Sequence, residues 1–384
     1  MSDAPASTLS IKAVETPAEL EAFIRLPWAI YRDDPVWVPP LLLERRDHLN
    51  PKKNPFFASA EARFWLALRD GRPVGRISAQ VNQAHLARHD DATGQFGMLE
   101  SEDRAETFQA LLKAAEDWLR QKGMQHVTGP FSLSINEESG VLVEGFEFPP
   151  SLMMGHAPPY YAVQLERLGY RKAKDLICYH YAATEELPAT VVTFLRRAAK
   201  TGAISIRPLD MSRYEEDLAN IIDIFNDAWA DNWGFIPMSQ DDIRHLAKEL
   251  KPIVRPQGIA IAELEGKPVA MAISLPNVNE AIADLDGRLL PFGWAKLLWR
   301  LKVKTPKTAR LPLMGVRKTF HGSMMGAVLA FAVIARVREA QKALGVQSGE
   351  LSWILDDNQR MRHMIEQFGG VHYKTYRVYQ RDLN

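Results

Sequence analysis

The stretch WLALRDGRPVGRIS, residues 65–78, returns as AIAELEGKPVAMAIS, residues 260–274. In both, two apolar-rich runs flank an acidic residue and a glycine, Asp70-Gly71 or Glu265-Gly266, followed by a basic residue and Pro-Val. Strand-forming runs about such a pair read as a β-hairpin. Gly71 and Gly266 stand 195 residues apart, and so do Ser10-Ile11-Lys12 and Ser205-Ile206-Arg207, each of which opens a strand. The same offset at two places marks an internal duplication. The order continues in parallel. An amphipathic helix over Thr107 to Lys122 stops at Gly123, and a helix from about Ser323 to Leu344 stops at Gly345. A second helix in each copy ends in a matching phrase, Leu165-Glu166-Arg167-Leu168-Gly169 and Ile365-Glu366-Gln367-Phe368-Gly369, where glycine suits a left-handed C-cap. A closing aromatic strand follows each, Leu176 to Tyr181 and Tyr373 to Tyr379. The expected fold class is therefore α/β, an α+β mixed sheet with helices on its faces, present twice.

The 384 residues allow two domains, 1–185 and 186–384. With 47 Lys and Arg against 47 Asp and Glu there is no overall field to draw in nucleic acid, so no nucleic-acid partner is expected. A single cysteine, Cys178, excludes an intrachain disulfide, and the opening MSDAPASTLS has neither the basic nor the apolar part of a signal peptide. A cytoplasmic location follows as the expectation. The apolar run from Ser323 to Ala335 is closed by Arg336 and falls short of the roughly 20 residues a spanning helix needs.

The second copy carries the more telling local chemistry. Its strand Leu311-Pro312-Leu313-Met314-Gly315-Val316 runs into the turn Arg317 to Gly322 and a helix opened by Ser323-Met324-Met325-Gly326. A helix N-terminus offers unpartnered amides to an anion, and glycine lets the anion approach. Strand, turn and helix resemble the core of the GNAT acyltransferase superfamily, where this turn holds the pyrophosphate of CoA. The resemblance implies two tandem GNAT-like domains, acyl-CoA as co-substrate, no metal, and contacts from Val316, Arg317, Lys318, His321, Gly322, Ser323, Met324 and Gly326. The glycine spacing departs from the family's usual turn; a plain helix cap at Gly322 and close packing at Gly326 is the other reading. After Leu351 to Asp357, Asn358 occupies the place of the family's strand-splaying Asn, and it also suits an ordinary N-cap. The family's frequent general-acid Tyr would fall on Ile365, so that acid is missing.

The resemblance extends to a narrower group of bacterial tandem-GNAT proteins that includes bacterial ceramide synthases. The phrases that carry it are Asp34 to Pro40, Gly129-Pro130 with Asn136 to Gly140, Pro158 to Tyr161, Ala228 to Phe235 and Glu350 to Asn358. It implies N-acylation of a lipid amine such as a sphingoid base. Aminoacyl or other N-acyl transfer to a different acceptor, or a non-catalytic acyl-CoA or lipid-binding module, remain alternatives. Amide formation needs a neutral amine, an oxyanion donor and a proton route. Glu350, Asp357 and Asp227 are the candidate bases; each also suits a structural or solvent-facing role. Trp229, Asn232 and Trp233 fit an acceptor pocket or the core. The first copy has acidic Glu102 and Asp103 before its helix, which disfavours a phosphate, so CoA is expected in the second copy only and acceptor binding or scaffolding in the first. Finally, no acidic residue lies between Asp286 and Glu339. Leu289 to Lys302 alternate bulky apolar groups with cations, so that residues 289–310 read as a segment at an anionic membrane surface, as a surface helix packed on the sheet, or as cations that draw in the phosphates of CoA. That makes peripheral membrane association an open expectation. His85 and His89 lack the Glu of a zincin pair, and no nucleophile elbow, Walker loop or dinucleotide fingerprint is present.

Overall fold

The computed structural model describes residues 7–184, 186–189, 191–193, 195 and 204–383. They form two compact units. The sequence reading cuts the chain once, after residue 185. The units share it differently: one takes the chain up to Asp175 with Leu285–Arg288 and Thr375 onward, the other Leu176–Asp284 and Leu289–Lys374.

In the first unit β1 (Leu9–Ala13), β2 (Ala60–Arg69), β3 (Arg72–Asn82) and β4 (Thr93–Ser101) form an antiparallel run, and β5 (His126–Gly129) lies parallel to β4. A parallel step needs a crossover, and the helix Ala105–Gln121 supplies it, burying Phe108, Leu111, Leu112, Ala115 and Leu119 on one face. β6 (Val141–Glu144) completes the set.

The second unit repeats the plan after β7 (Arg171–Ala182), with β8 (Ile204–Pro208), β9 (Ile259–Leu264), β10 (Lys267–Pro276) and β11 (Thr308–Val316) antiparallel and β12 (Ser348–Leu355) parallel to β11. Its crossover is the 20-residue helix Met324–Ala343. Leu329, Ala330, Val333 and Val337 of that helix share a core with Ala260, Ala262, Ala270 and Ala272, whose small side chains let the helix lie close to the sheet. One face of the helix, from Leu329 to Gln341, is buried. Among the described residues no helix is long and apolar enough to cross a membrane. Both duplicated hairpins turn through positive φ at the expected pair, Asp70 and Gly71 at 49° and 79°, Glu265 and Gly266 at 52° and 76°. Two successive left-handed residues match the twist of the flanking strands.

The sequence pattern gives each copy its own closing strand, but in the structure the two strands are exchanged. Leu176 to Ala182 of β7 pair antiparallel with β12 in the second unit. The end of the last strand, β13 (Val371–Asp382), pairs with β5 and β6 in the first. Both edges present unpaired backbone groups that any strand of the right polarity can satisfy, and alternation within a strand fixes its faces but not its neighbour.

Candidate active site

The second unit contains a fork. β11 and β12 are paired from Thr308↔Ser348 to Leu311↔Leu351 and no further. β11 stays with β10 up to Val316, and β12 stays with β7 up to Leu355, so the two central strands part between these limits. Pro312 is the first residue past the ladder and has no N–H to offer it. The Arg317 N–H donates to the Val269 carbonyl on the β10 side. By antiparallel alternation Met314 and Val316 therefore turn their backbone groups away from β10, into the opening. Both carbonyls are met there by side chains: the Trp229 Nε1–H donates to Met314 O at 2.9 Å, and His321 Nε2 donates to Val316 O at 2.7 Å. The Val316 N–H, on the same side of its residue, faces the opening too.

A buried polar cluster closes the base of the fork. Arg310 and Glu350 are each 3% exposed and Lys374 is fully buried. The Ser352 hydroxyl donates to Glu350 Oε1 at 2.5 Å, and the Tyr373 hydroxyl donates to Oε2. Arg310 Nε lies 3.7 Å from Oε1 and Lys374 Nζ 3.9 Å from Oε2. The Arg310 guanidinium also sits 5.0 Å from the centre of the Trp353 ring, a cation–π contact. Burial, and then the Glu350 carboxylate, push the neighbouring Cys178 thiol well above its ordinary range despite Lys374 and Arg310. A thiol so placed is no nucleophile at neutral pH.

At the mouth of the fork the turn after β11 is built to present a helix N-terminus. Ser323 caps the helix Met324–Ala343 by accepting from Gly326 N–H at 3.0 Å. A Cβ on Gly326 would fall 2.2 Å from the Phe320 carbonyl, so the turn lies directly on the helix start. This is the close packing expected at Gly326. Asp227 Oδ2 accepts the Lys318 N–H at 2.8 Å and so pins the turn. The side chains of Arg317 and Lys318 pair with Asp223 at 2.6 Å and Asp231 at 2.5 Å. Arg360 adds a cation that the sequence reading missed: its Nη1 is 3.8 Å from where a Cβ on Gly322 would stand. It lies on the helix Gln359–Gln367, which Asn358 caps by accepting from Met361 N–H at 3.1 Å. Cations around open helix amides suit an anion such as a phosphate.

The candidate residues thus divide among three places. Val316, Arg317, Lys318, His321, Gly322, Ser323, Met324, Gly326 and Asp227 surround the turn, and Trp229 reaches the fork. Glu350 sits at the base with both oxygens engaged. Asp357 is exposed after β12. Asn232 and Trp233 are half-buried beyond Trp229, where the Asn232 N–H donates to Trp229 O at 2.8 Å. Because Asp227 acts on a backbone N–H, Asp227→Asn, which keeps an acceptor oxygen, is expected to leave kcat within about three-fold of the parent. Loss of a general base would cost about 10²–10⁴-fold. Steady-state kinetics of the two proteins distinguish these outcomes.

The first unit has no such opening. β4 and β5 pair only to Gln95↔Thr128, but the chain after β5 folds back: the Phe131 N–H donates to Phe96 O at 2.8 Å. A Cβ on Gly97 would lie 1.6 Å from the Phe131 carbonyl, so backbone fills the space that is a fork in the second unit. The turn before its helix is acidic, with Arg69 held 2.8 Å from Glu102 and 2.7 Å from Glu106. Among the described residues no group of three or more His, Cys, Asp or Glu could hold a metal ion.

Two copies of this mixed sheet, one with parted central strands and a helix N-terminus at their mouth, define a tandem GNAT fold. A solved tandem GNAT protein from the clavulanic acid biosynthesis pathway superimposes with a TM-score of 0.56 at 12% identity, covering 98% of this chain and 99% of that one. No family model matches the chain. In sequence it is 48% identical over 382 residues to the bacterial ceramide synthase of Caulobacter vibrioides (strain NA1000 / CB15N), covering 99% of each. It is 42% identical over 365 residues to Protein YghO of Escherichia coli (strain K12), covering 95% of this chain and 93% of the relative. The chain belongs to the family of these two proteins.

Proposed function

We propose that the protein is an N-acyltransferase that moves an acyl group from acyl-CoA to the primary amine of a long-chain, sphingoid-type base, giving a ceramide-type amide in the cytoplasm. The observation that carries the reading is the fork in the second unit, with the Val316 N–H turned into it and a cation-ringed helix start at its mouth. A pyrophosphate matches the amides after Ser323 and the side chains of Arg317, Lys318 and Arg360, while the pantetheine arm matches the space between β11 and β12. The acyl carbonyl then meets the Val316 N–H, a donor suited to the oxyanion that develops as the amine attacks. The new C–N bond replaces the C–S bond, and the proton lost from the amine balances the released thiolate as CoA-SH. The chemistry needs no metal and no covalent enzyme intermediate. The acceptor is supported by the 48% identity to the Caulobacter protein over the full chain.

The test is incubation of the purified protein with acyl-CoA and either sphinganine or 3-ketosphinganine. An N-acylated product by mass spectrometry, with one free thiol released per amide, is expected. If acyl-CoA binds and neither base is acylated, the acceptor assignment is wrong; if thiol appears with a different amine, the enzyme class stands and the acceptor changes.

A further inference from the structure

Large apolar side chains lie unusually exposed within one short stretch of the second unit. Leu290 and Phe292 are each 79% exposed, and Trp294, Leu298, Trp299 and Val303 also stand out in water. The helix Gly293–Trp299, which continues into a turn over Arg300–Lys304, has no buried residue of its own. It is fastened instead from its polar side. Arg300 donates to Asp284 Oδ2 at 2.9 Å and to the Ala281 carbonyl at 2.7 Å, and Lys296 pairs with Asp284. Leu301 is buried, and its carbonyl accepts from Arg255. Polar tethers of this kind hold a segment while leaving much of its apolar surface in water, which is costly unless something covers it.

The charge on this stretch says what the cover is. Lys302, Lys304 and Lys307 are exposed beside the apolar groups, and no carboxylate occurs between Asp286 and Glu339. Trp and Leu next to Lys is the composition of an interfacial segment, whose rings sit at head-group depth while ammonium groups meet lipid phosphates. A protein partner would be expected to answer the lysines with its own carboxylates; a bilayer answers the lysines and the apolar side chains together.

We propose that residues 289–307 are a docking surface for an anionic lipid bilayer, which the protein grips from one side without crossing. The inference stands on exposure and charge and is independent of the acyl-transfer reading. It is tested by co-sedimentation of the full chain with vesicles of phosphatidylcholine alone and of phosphatidylcholine with phosphatidylglycerol. Binding at least ten-fold tighter to the anionic vesicles, weakened by salt, is expected. The double variants Phe292→Glu with Trp299→Glu, and Lys302→Glu with Lys304→Glu, are each expected to weaken it at least ten-fold. All four side chains are exposed, so circular dichroism should match the parent. Equal pelleting with both vesicle types, or variants that pellet like the parent, overturns the proposal. So does a result in which the apolar variant abolishes self-association in sedimentation velocity while vesicle binding persists, since the cover would then be a second copy of the chain.

Discussion

Glu350→Ala is expected to cost about 3–5 kcal/mol of stability, the range for breaking a buried ion pair from one side. Glu350, Arg310 and Lys374 are buried together at the base of the fork, and two hydroxyls donate to the carboxylate. Alanine would remove the carboxylate that lies beside both buried cations and accepts from the Ser352 and Tyr373 hydroxyls. A domain holds only about 5–15 kcal/mol in all, so this loss is a large part of the total. Chemical denaturation of parent and variant measures it. Glu350→Gln keeps a carbonyl oxygen for one hydroxyl and should fall between them. A loss below about 1 kcal/mol for Glu350→Ala would mean that the cluster is not held as a unit. Glu350, with both oxygens engaged and two cations beside it, sits where the strands part.

The sequence made the hairpins and crossover helices readable because each is decided locally. Asp70-Gly71 and Glu265-Gly266 adopt the left-handed pair their turn requires, and the run from Ser323 is a core helix because its apolar residues face the alanines of β9 and β10. Strand exchange was not readable, since the residues of β7 and β13 would satisfy either edge equally well. The fork had one local signal that went unread: Pro312, a strand residue that cannot donate toward β12. Its absence in the first copy had another, Gly97, where only a missing Cβ allows the Phe131 backbone to lie across the strand. Arg360 could not be placed beside Gly322 without knowing how the helix after β12 packs. The roles of Asp227 and Trp229 likewise depend on backbone atoms, Lys318 N and Met314 O, which carry no residue-specific mark in the sequence.

Gly326→Ala is expected to raise the KM for acyl-CoA by about 10- to 100-fold. In an exposed helix interior the same change ordinarily stabilises by roughly 1 kcal/mol, because alanine is the better helix former. Here a Cβ would stand 2.2 Å from the Phe320 carbonyl, with the carbonyl carbon at 3.0 Å, and backbone cannot swing aside as a flexible side chain can. Relief requires the 3₁₀ turn Lys318–Phe320 to move by something on the order of 1 Å. That turn carries the Lys318 amide held by Asp227 and leads to His321, which holds the Val316 carbonyl, so the shift reaches both the start of the helix and the strand at the fork. Misplacement of this size away from the reacting atoms can cost about 10²-fold. Gly322→Ala is the control: its φ of +74° makes alanine strained, but the nearest atom to its Cβ is Arg360 Nη1 at 3.8 Å, so the turn need not move. It should lower stability by about 1 kcal/mol without displacing the turn, so that any change in its KM for acyl-CoA comes from the added methyl beside Arg360 and not from movement of the turn. Kinetics with varied acyl-CoA, calorimetric titration with CoA, and thermal melts of the three proteins decide the matter. A Gly326→Ala protein with a raised Tm and an unchanged KM would show that the turn yields without cost, and that the donor does not depend on where it lies.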